Sequence, residues 1–293
     1  MVGGKPNMKN NQENWALVVE GGGMKGIYTA GILDAFHTAD FNPFDLYIGV
    51  SAGTPNLSSF IAGQFQRNFK SYVGNMSDKK FISRQRFLKG GHWMDLDWLW
   101  EITQQENRID IERAAQILET ENKRFLMVVT NVETGKPEYV PARLSDWIEF
   151  MKASCAIPFF YRNFCRIENE FYVDGGVSDP LPVEQTYREG ARNIVVLRTH
   201  PVSHAKKNGL HVRLGAKLFK KNPGLQKAIL RQAEIYNQAA AFIKNPPADL
   251  TILQIAPETE LKTNTTTQSR DILTNDYNLG LRHGEQFWDE FKG

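Results

Sequence analysis

Apolar residues in this chain gather into short runs separated by longer stretches of helical periodicity. The first clear run is Trp15-Ala16-Leu17-Val18-Val19, partly β-branched and uninterrupted, which predicts a buried strand. Gly21-Gly22-Gly23 ends it, and a helical pattern follows from Met24 to His37. Leu46-Tyr47-Ile48-Gly49-Val50 predicts a second strand, followed by a sharp turn and a helix over residues 58–65. Further strands are predicted at 125–129, 171–173, 194–197 and 251–255, with helical stretches between most of them. Such alternation predicts an α/β fold with a central, mainly parallel sheet flanked by helices, whose ligand sites gather at the carboxyl ends of strands.

Three segments depart from the alternation. Residues 1–14 carry no hydrophobic periodicity and no apolar core of a signal peptide, which predicts a flexible tail. Residues 75–115 are rich in tryptophan and basic side chains and predict an insertion or cap. After Pro246-Pro247 the balance turns acidic and a Thr/Asn tract spans 263–267, so a subdomain boundary is expected near Pro246, leaving a C-terminal region, 246–293.

With 293 residues, 41% hydrophobic and 23% charged, the chain can bury a sizeable core and is unlike a disordered segment. A formal net charge of +2 argues against a dedicated nucleic-acid binder. The two cysteines, Cys155 and Cys165, cannot frame a disulfide scaffold, and no Cys/His group has zinc-ligand spacing. No apolar run approaches the ~18 residues of a membrane-spanning helix. A soluble, cytoplasmic protein is expected.

Gly49-Val50-Ser51-Ala52-Gly53 is a G-x-S-x-G pattern between a predicted strand and a predicted helix. A nucleophile on such a tight turn needs small neighbours, here Gly49 and Gly53, and the helix that follows aims unpaired N–H groups at the serine. A plain structural turn satisfies the same five residues. Upstream, Gly21-Gly22-Gly23-Met24-Lys25-Gly26 joins the first strand to the first helix. Bare main-chain N–H groups there suit a phosphate cradle or an oxyanion hole. A P-loop is excluded, because the Lys-Ser/Thr pair at its spacing is missing. The dinucleotide fingerprint also fits poorly: Asp40 and Asp45, at about the required ~20 residues, do not close a second strand. Finally, Phe171-Tyr172-Val173-Asp174-Gly175-Gly176 sets an aspartate at a strand's end. It is either a turn cap or, in a water-poor pocket that raises its proton affinity, a base directed at Ser51.

In this order the three motifs resemble those of the patatin-like phospholipase family. The flanks Phe44-Asp45-Leu46, Ala153-Ser154-Cys155-Ala156-Ile157-Pro158 and Asp179-Pro180-Leu181-Pro182 are similar to the family's as well, so the resemblance spans about 15–199. It implies a three-layer patatin-like fold, with 15–245 as the catalytic domain. It further implies a Ser51–Asp174 dyad, an oxyanion hole from Gly21, Gly22, Gly23 and Met24, and Lys25 and Gly26 as supports of that loop. The implied activity is hydrolysis of phospholipid, lysophospholipid or related acyl esters, with no metal or organic cofactor. Thr54-Pro55 departs from the family, which favours a small flexible residue after the elbow. Other readings remain open: a Ser-Asp-His triad completed by His200, His204 or His211, an acyltransferase using the same acyl-enzyme, and a catalytically silent lipid-binding protein.

Two surfaces bear on partners. Trp93, Met94, Leu96, Trp98, Leu99 and Trp100 form an aromatic cluster that suits either a lid over an acyl pocket or local core packing. Between Arg198 and Gln232 no acidic residue occurs, while Lys206, Lys207, Arg213, Lys217, Lys220 and Lys221 accumulate among leucines. That stretch is either a solvated face or a peripheral contact with anionic membrane.

Overall fold

The buried strands sort their side chains by a period of two, and that sorting defines the layers. In a computed structural model, which describes residues 14–292 apart from the side chain of His211, the strands are β1 (Trp15–Val19), β2 (Leu46–Val50), β3 (Arg124–Asn131), β4 (Pro137–Pro141), β5 (Cys165–Ile167), β6 (Glu170–Asp174), β7 (Asn193–Leu197) and β8 (Thr251–Ile255). The expected tail falls, but for Asn14, outside the described residues. Leu17, Val19, Tyr47, Met127 and Val195 face one apolar cluster. Their neighbours Ala16, Val18, Ile48, Val128 and Val196 face a second cluster across the sheet. Burial on both faces is why these strands read as unbroken apolar runs rather than alternating ones.

The sheet order is β5-β6-β3-β2-β1-β7-β8, with β4 paired to β3. Strands β3, β2, β1, β7 and β8 run parallel, while β4 and β6 lie antiparallel to β3. The helices are α1 (Gly26–Thr38), α2 (Gly53–Ile61), α3 (Arg67–Val73), α4 (Arg84–Leu88), α5 (Leu96–Glu106) and α6 (Ile111–Thr120), then α7 (Trp147–Ser154), α8 (Val183–Arg188), α9 (Leu210–Ala216), α10 (Pro223–Lys244) and α11 (Arg270–Lys292). Helices α1, α2, α6 and α7 cover the first cluster, and α8 and α10 the second. The fold is therefore a three-layer α/β sandwich. Among the described residues no helix is long and apolar enough to cross a membrane.

Residues 75–115 hold α4, α5 and the start of α6. Met94, Leu96, Leu99 and Trp100 are buried there, with Trp93 and Trp98 half-buried. The chain beyond Pro246 continues the same sheet: β8 pairs with β7 from Thr251 to Ile255. Helix α11 then packs along α1, and small residues let the two backbones approach. A Cβ on Gly280 would strike the Tyr28 carbonyl, and one on Gly284 would come within 2.6 Å of the Ala35 Cβ. Tyr277 Oη donates to Asp34 Oδ2 at 2.7 Å across this contact. Gly280→Val should lower unfolding stability by about 3 kcal/mol, because neither helix can retreat from the other. Asn278→Ala, on the exposed side of the same helix, should change it by less than about 0.5 kcal/mol in the same denaturation experiment.

Candidate active site

Strand β2 ends at Val50, and the next residue turns the chain straight into α2. Ser51 takes φ 51°, a left-handed conformation that costs a non-glycine residue about 1–3 kcal/mol. Its neighbours hold it there. The Ser51 N–H donates to Ser154 Oγ at 2.9 Å, and Ser154 Oγ donates to the Val128 carbonyl at 2.7 Å. Thr54 N–H donates back to the Ser51 carbonyl at 2.9 Å. Close packing explains both elbow glycines: a Cβ on Gly49 would lie 2.7 Å from Thr54 Cα, and one on Gly53 would strike the Val19 carbonyl. Pro55 is the third residue of α2. In a helix's first turn the missing N–H breaks no helical bond.

Sheet register brings Asp174 to the same height. Val50 pairs with Val128, and antiparallel β6 sets Asp174 opposite Val129. Ser51 Oγ donates to Asp174 Oδ2 at 2.5 Å, and Gly176 N–H donates to Oδ1 at 2.7 Å. Both side chains are shut away from water, Ser51 at 5% and Asp174 at 4% exposure. Burial pushes the Asp174 carboxyl up to about 6, although hydrogen bonds from Ser51 and Gly176 and the charge of Lys206 pull it down. The group is ionised at neutral pH yet holds a proton far better than an ordinary aspartate.

The glycine loop lies directly against the serine. A Cβ on Gly21 would stand 2.6 Å from the Ser51 Cβ, so no side chain fits there. Gly23 takes φ 59° and faces Thr265, 2.8 Å from where its Cβ would be. Among the described residues the N–H groups of Gly22 and Gly23 meet no acceptor. Met24, expected beside them, instead directs its N–H to the Thr265 carbonyl at 3.3 Å. Thr199 Oγ1 donates to the Gly21 carbonyl at 2.7 Å. Gly26 opens α1 and its carbonyl accepts from Asn56 Nδ2 at 2.8 Å, while Lys25 Nζ reaches Glu260 at 3.1 Å.

A cavity of about 50 Å³ opens at Ser51 and Gly23. Pro55, Tyr72, Met94, Leu96, Leu99 and Trp100 wall it, so the Trp-rich segment is at once core and pocket lining. Cys155 also lines it, with burial pushing its thiol well up, so the sulfur stays protonated. His200 and His204 turn to Glu260 and make no hydrogen bond with Ser51 or Asp174; the side chain of His211 lies outside the described residues. Lys207, Arg213, Lys217, Lys220 and Lys221 are exposed, whereas Lys206 turns inward. Its ammonium sits 5.8 Å from the Tyr236 ring centre, where burial lowers its proton affinity against the pull of Glu20 and Asp174. Sequence reasoning missed Ser154, Thr199, Thr265 and this role of Lys206. Only Ser154 had a local signal, the A-S-C-A-I-P stretch.

Residues 17–187 match the patatin-like phospholipase family, more than half of the chain. The chain belongs to that family. It is a family of lipid acyl hydrolases, and its matched span holds the elbow, the glycine loop and Asp174 together. Residues 222–293 match a further domain, described as a domain of unknown function (DUF6363). A relative, the uncharacterized protein YjjU of Escherichia coli (strain K12), is 36% identical over 273 residues, 93% of this chain and 76% of that protein. Among solved structures, VipD from Legionella pneumophila aligns with 94% of this chain and 67% of its own, at TM-score 0.44 and 14% identity.

Ser154→Ala should lower stability by about 2 kcal/mol, since it leaves the buried Ser51 N–H without an acceptor. Ser59, whose buried hydroxyl has no partner among the described residues, is the control: Ser59→Ala should leave the melting midpoint unchanged or raise it.

Proposed function

We propose that the protein is a serine acyl-ester hydrolase acting on phospholipid, lysophospholipid or a related lipid ester. The observation that carries this reading is the 2.5 Å bond from Ser51 Oγ to a buried carboxylate, Asp174. In the proposed reaction Ser51 Oγ attacks the ester carbonyl while Asp174 Oδ2 takes the hydroxyl proton. Negative charge on the tetrahedral oxygen faces the free N–H groups of Gly22 and Gly23 and the N-terminal end of α2. The tetrahedral centre collapses, the C–O bond to the alcohol breaks, and the proton passes from Asp174 to the leaving alkoxide. Water then attacks the acyl-enzyme, giving its proton to Asp174, and the acid leaves as Ser51 recovers its hydrogen. Lys25 steadies the loop through Glu260 and takes no part in proton transfer. Every step is met by these groups without a cofactor.

The acyl chain enters the apolar cavity beside Ser51. Docking on a lipid surface uses the stretch that follows β7. Leu210, Leu214 and Leu218 are 71%, 53% and 78% exposed. They lie among the exposed Lys207, Arg213, Lys217, Lys220 and Lys221. Each cation near an anionic surface contributes about 1 kcal/mol, which suits peripheral docking from the cytoplasm.

A panel of phospholipids, lysophospholipids, triglycerides and short-chain esters, offered in anionic and zwitterionic vesicles, tests both parts. Wild type should cleave at least one lipid ester, fastest on anionic vesicles at low salt. Ser51→Ala should abolish turnover, and Asp174→Asn should reduce it by about 10²–10⁴-fold. Turnover surviving Ser51→Ala sinks the mechanism. Acyl transfer to an added alcohol in preference to water marks an acyltransferase, and intact protein with no turnover marks a lipid binder.

A further inference from the structure

A group of side chains beside the glycine loop is left unused by that reaction. After β7 the chain makes a tight turn in which His204 N–H donates to the Pro201 carbonyl at 2.9 Å. The turn stacks the His200 and His204 rings, with centroids 4.1 Å apart and planes 25° apart. Tyr236 of α10 meets both rings edge-on, at 6.2 and 5.6 Å, and fixes the pair from below. Each ring then presents Nδ1 to the same carboxylate. His204 Nδ1 lies 2.7 Å from Glu260 Oε1, and His200 Nδ1 lies 3.2 Å from Oε2. One ligating atom from each of the three residues falls within 4.8 Å of the others.

The cation that now answers this cluster is Lys25, with Nζ 3.1 Å from Glu260 Oε2 and 3.3 Å from His200 Nδ1. His200 Nδ1 accepts from Lys25 when its ring proton sits on Nε2 and donates to Glu260 Oε2 when the proton sits on Nδ1, so the tautomer selects the bond. In the first tautomer a nitrogen lone pair and a carboxylate oxygen converge on the Lys25 charge, and His204 becomes the third donor once its Nδ1 gives up the proton that now meets Glu260 Oε1. Two imidazole nitrogens with one carboxylate oxygen suit zinc and its first-row neighbours, whereas magnesium and calcium call for oxygen alone. We propose that His200, His204 and Glu260 form a binding site for a divalent transition metal of the zinc class, which enters by displacing the Lys25 ammonium. The remaining position is left to water or another exogenous ligand. Because Lys25 directly follows Gly22-Gly23-Met24, the site adjoins the glycine loop and shares no residue with the Ser51–Asp174 pair.

Calorimetric titration of Zn²⁺ into the full, metal-stripped chain tests the site by binding alone, independently of catalysis. Wild type should bind one ion per chain. His204→Ala and Glu260→Gln should each weaken that binding by about tenfold or more. Lys25→Met should tighten it by about tenfold, since the competing ammonium is gone; misfolding cannot produce that gain. Absence of binding in both wild type and Lys25→Met overturns the proposal, as does binding that His204→Ala and Glu260→Gln leave unaltered. A Lys25→Met variant that binds no more tightly than wild type overturns the displacement.

Discussion

The site depends on holding an ionised aspartate against a serine hydroxyl in a place with almost no water. Burial works against the charge on Asp174, and only two hydrogen bonds and a distant ammonium offset it. In the proposed reaction, the dryness that raises the group's proton affinity lets it serve as base for a hydroxyl that water would otherwise solvate. Ser51 adds a second unfavourable element, its left-handed backbone. Both are tolerated because the surrounding sheet fixes them: β2, β3 and β6 set the height of the two side chains, and Ser154 ties the elbow to Val128.

The region beyond residue 222 is joined to this arrangement. Thr265 packs against Gly23 and takes the Met24 N–H, and Glu260 holds Lys25. Helix α11 fastens the same region along α1, the helix that the glycine loop opens. The loop is thereby gripped by the region beyond residue 222. The two matched family spans, 17–187 and 222–293, contribute to one folded unit and to one site.

Strands β1, β2 and β7 were legible because burial on both faces demands unbroken apolar runs. Strand β4 was not: its segment Pro137-Glu138-Tyr139-Val140-Pro141 is bounded by prolines and half-exposed, which reads as loop. Helix α2 begins at Gly53, inside the motif, five residues before the predicted start at 58, because the serine turn and the helix share residues. Ser51 and Asp174 could be named from their motifs, since each needs glycines beside it in sequence. Thr199, Thr265 and Glu260 could not, because nothing local marks a residue whose partner arrives only when distant segments close together. The histidines at 200 and 204 were visible only as members of an alternative triad, and only the fold turns them to Glu260.

In the proposed reaction Asp174 activates Ser51 as its base. The most direct test is the rate of covalent labelling by a serine-reactive phosphonate, followed across pH with the modified peptide mapped. Asp174 must be ionised to accept the proton, so labelling at Ser51 should be slow in acid and rise as pH passes about 6; Asp174→Asn should remove the rise. A rate that ignores pH around that point, or an Asp174→Asn protein labelled as fast as wild type, would contradict it.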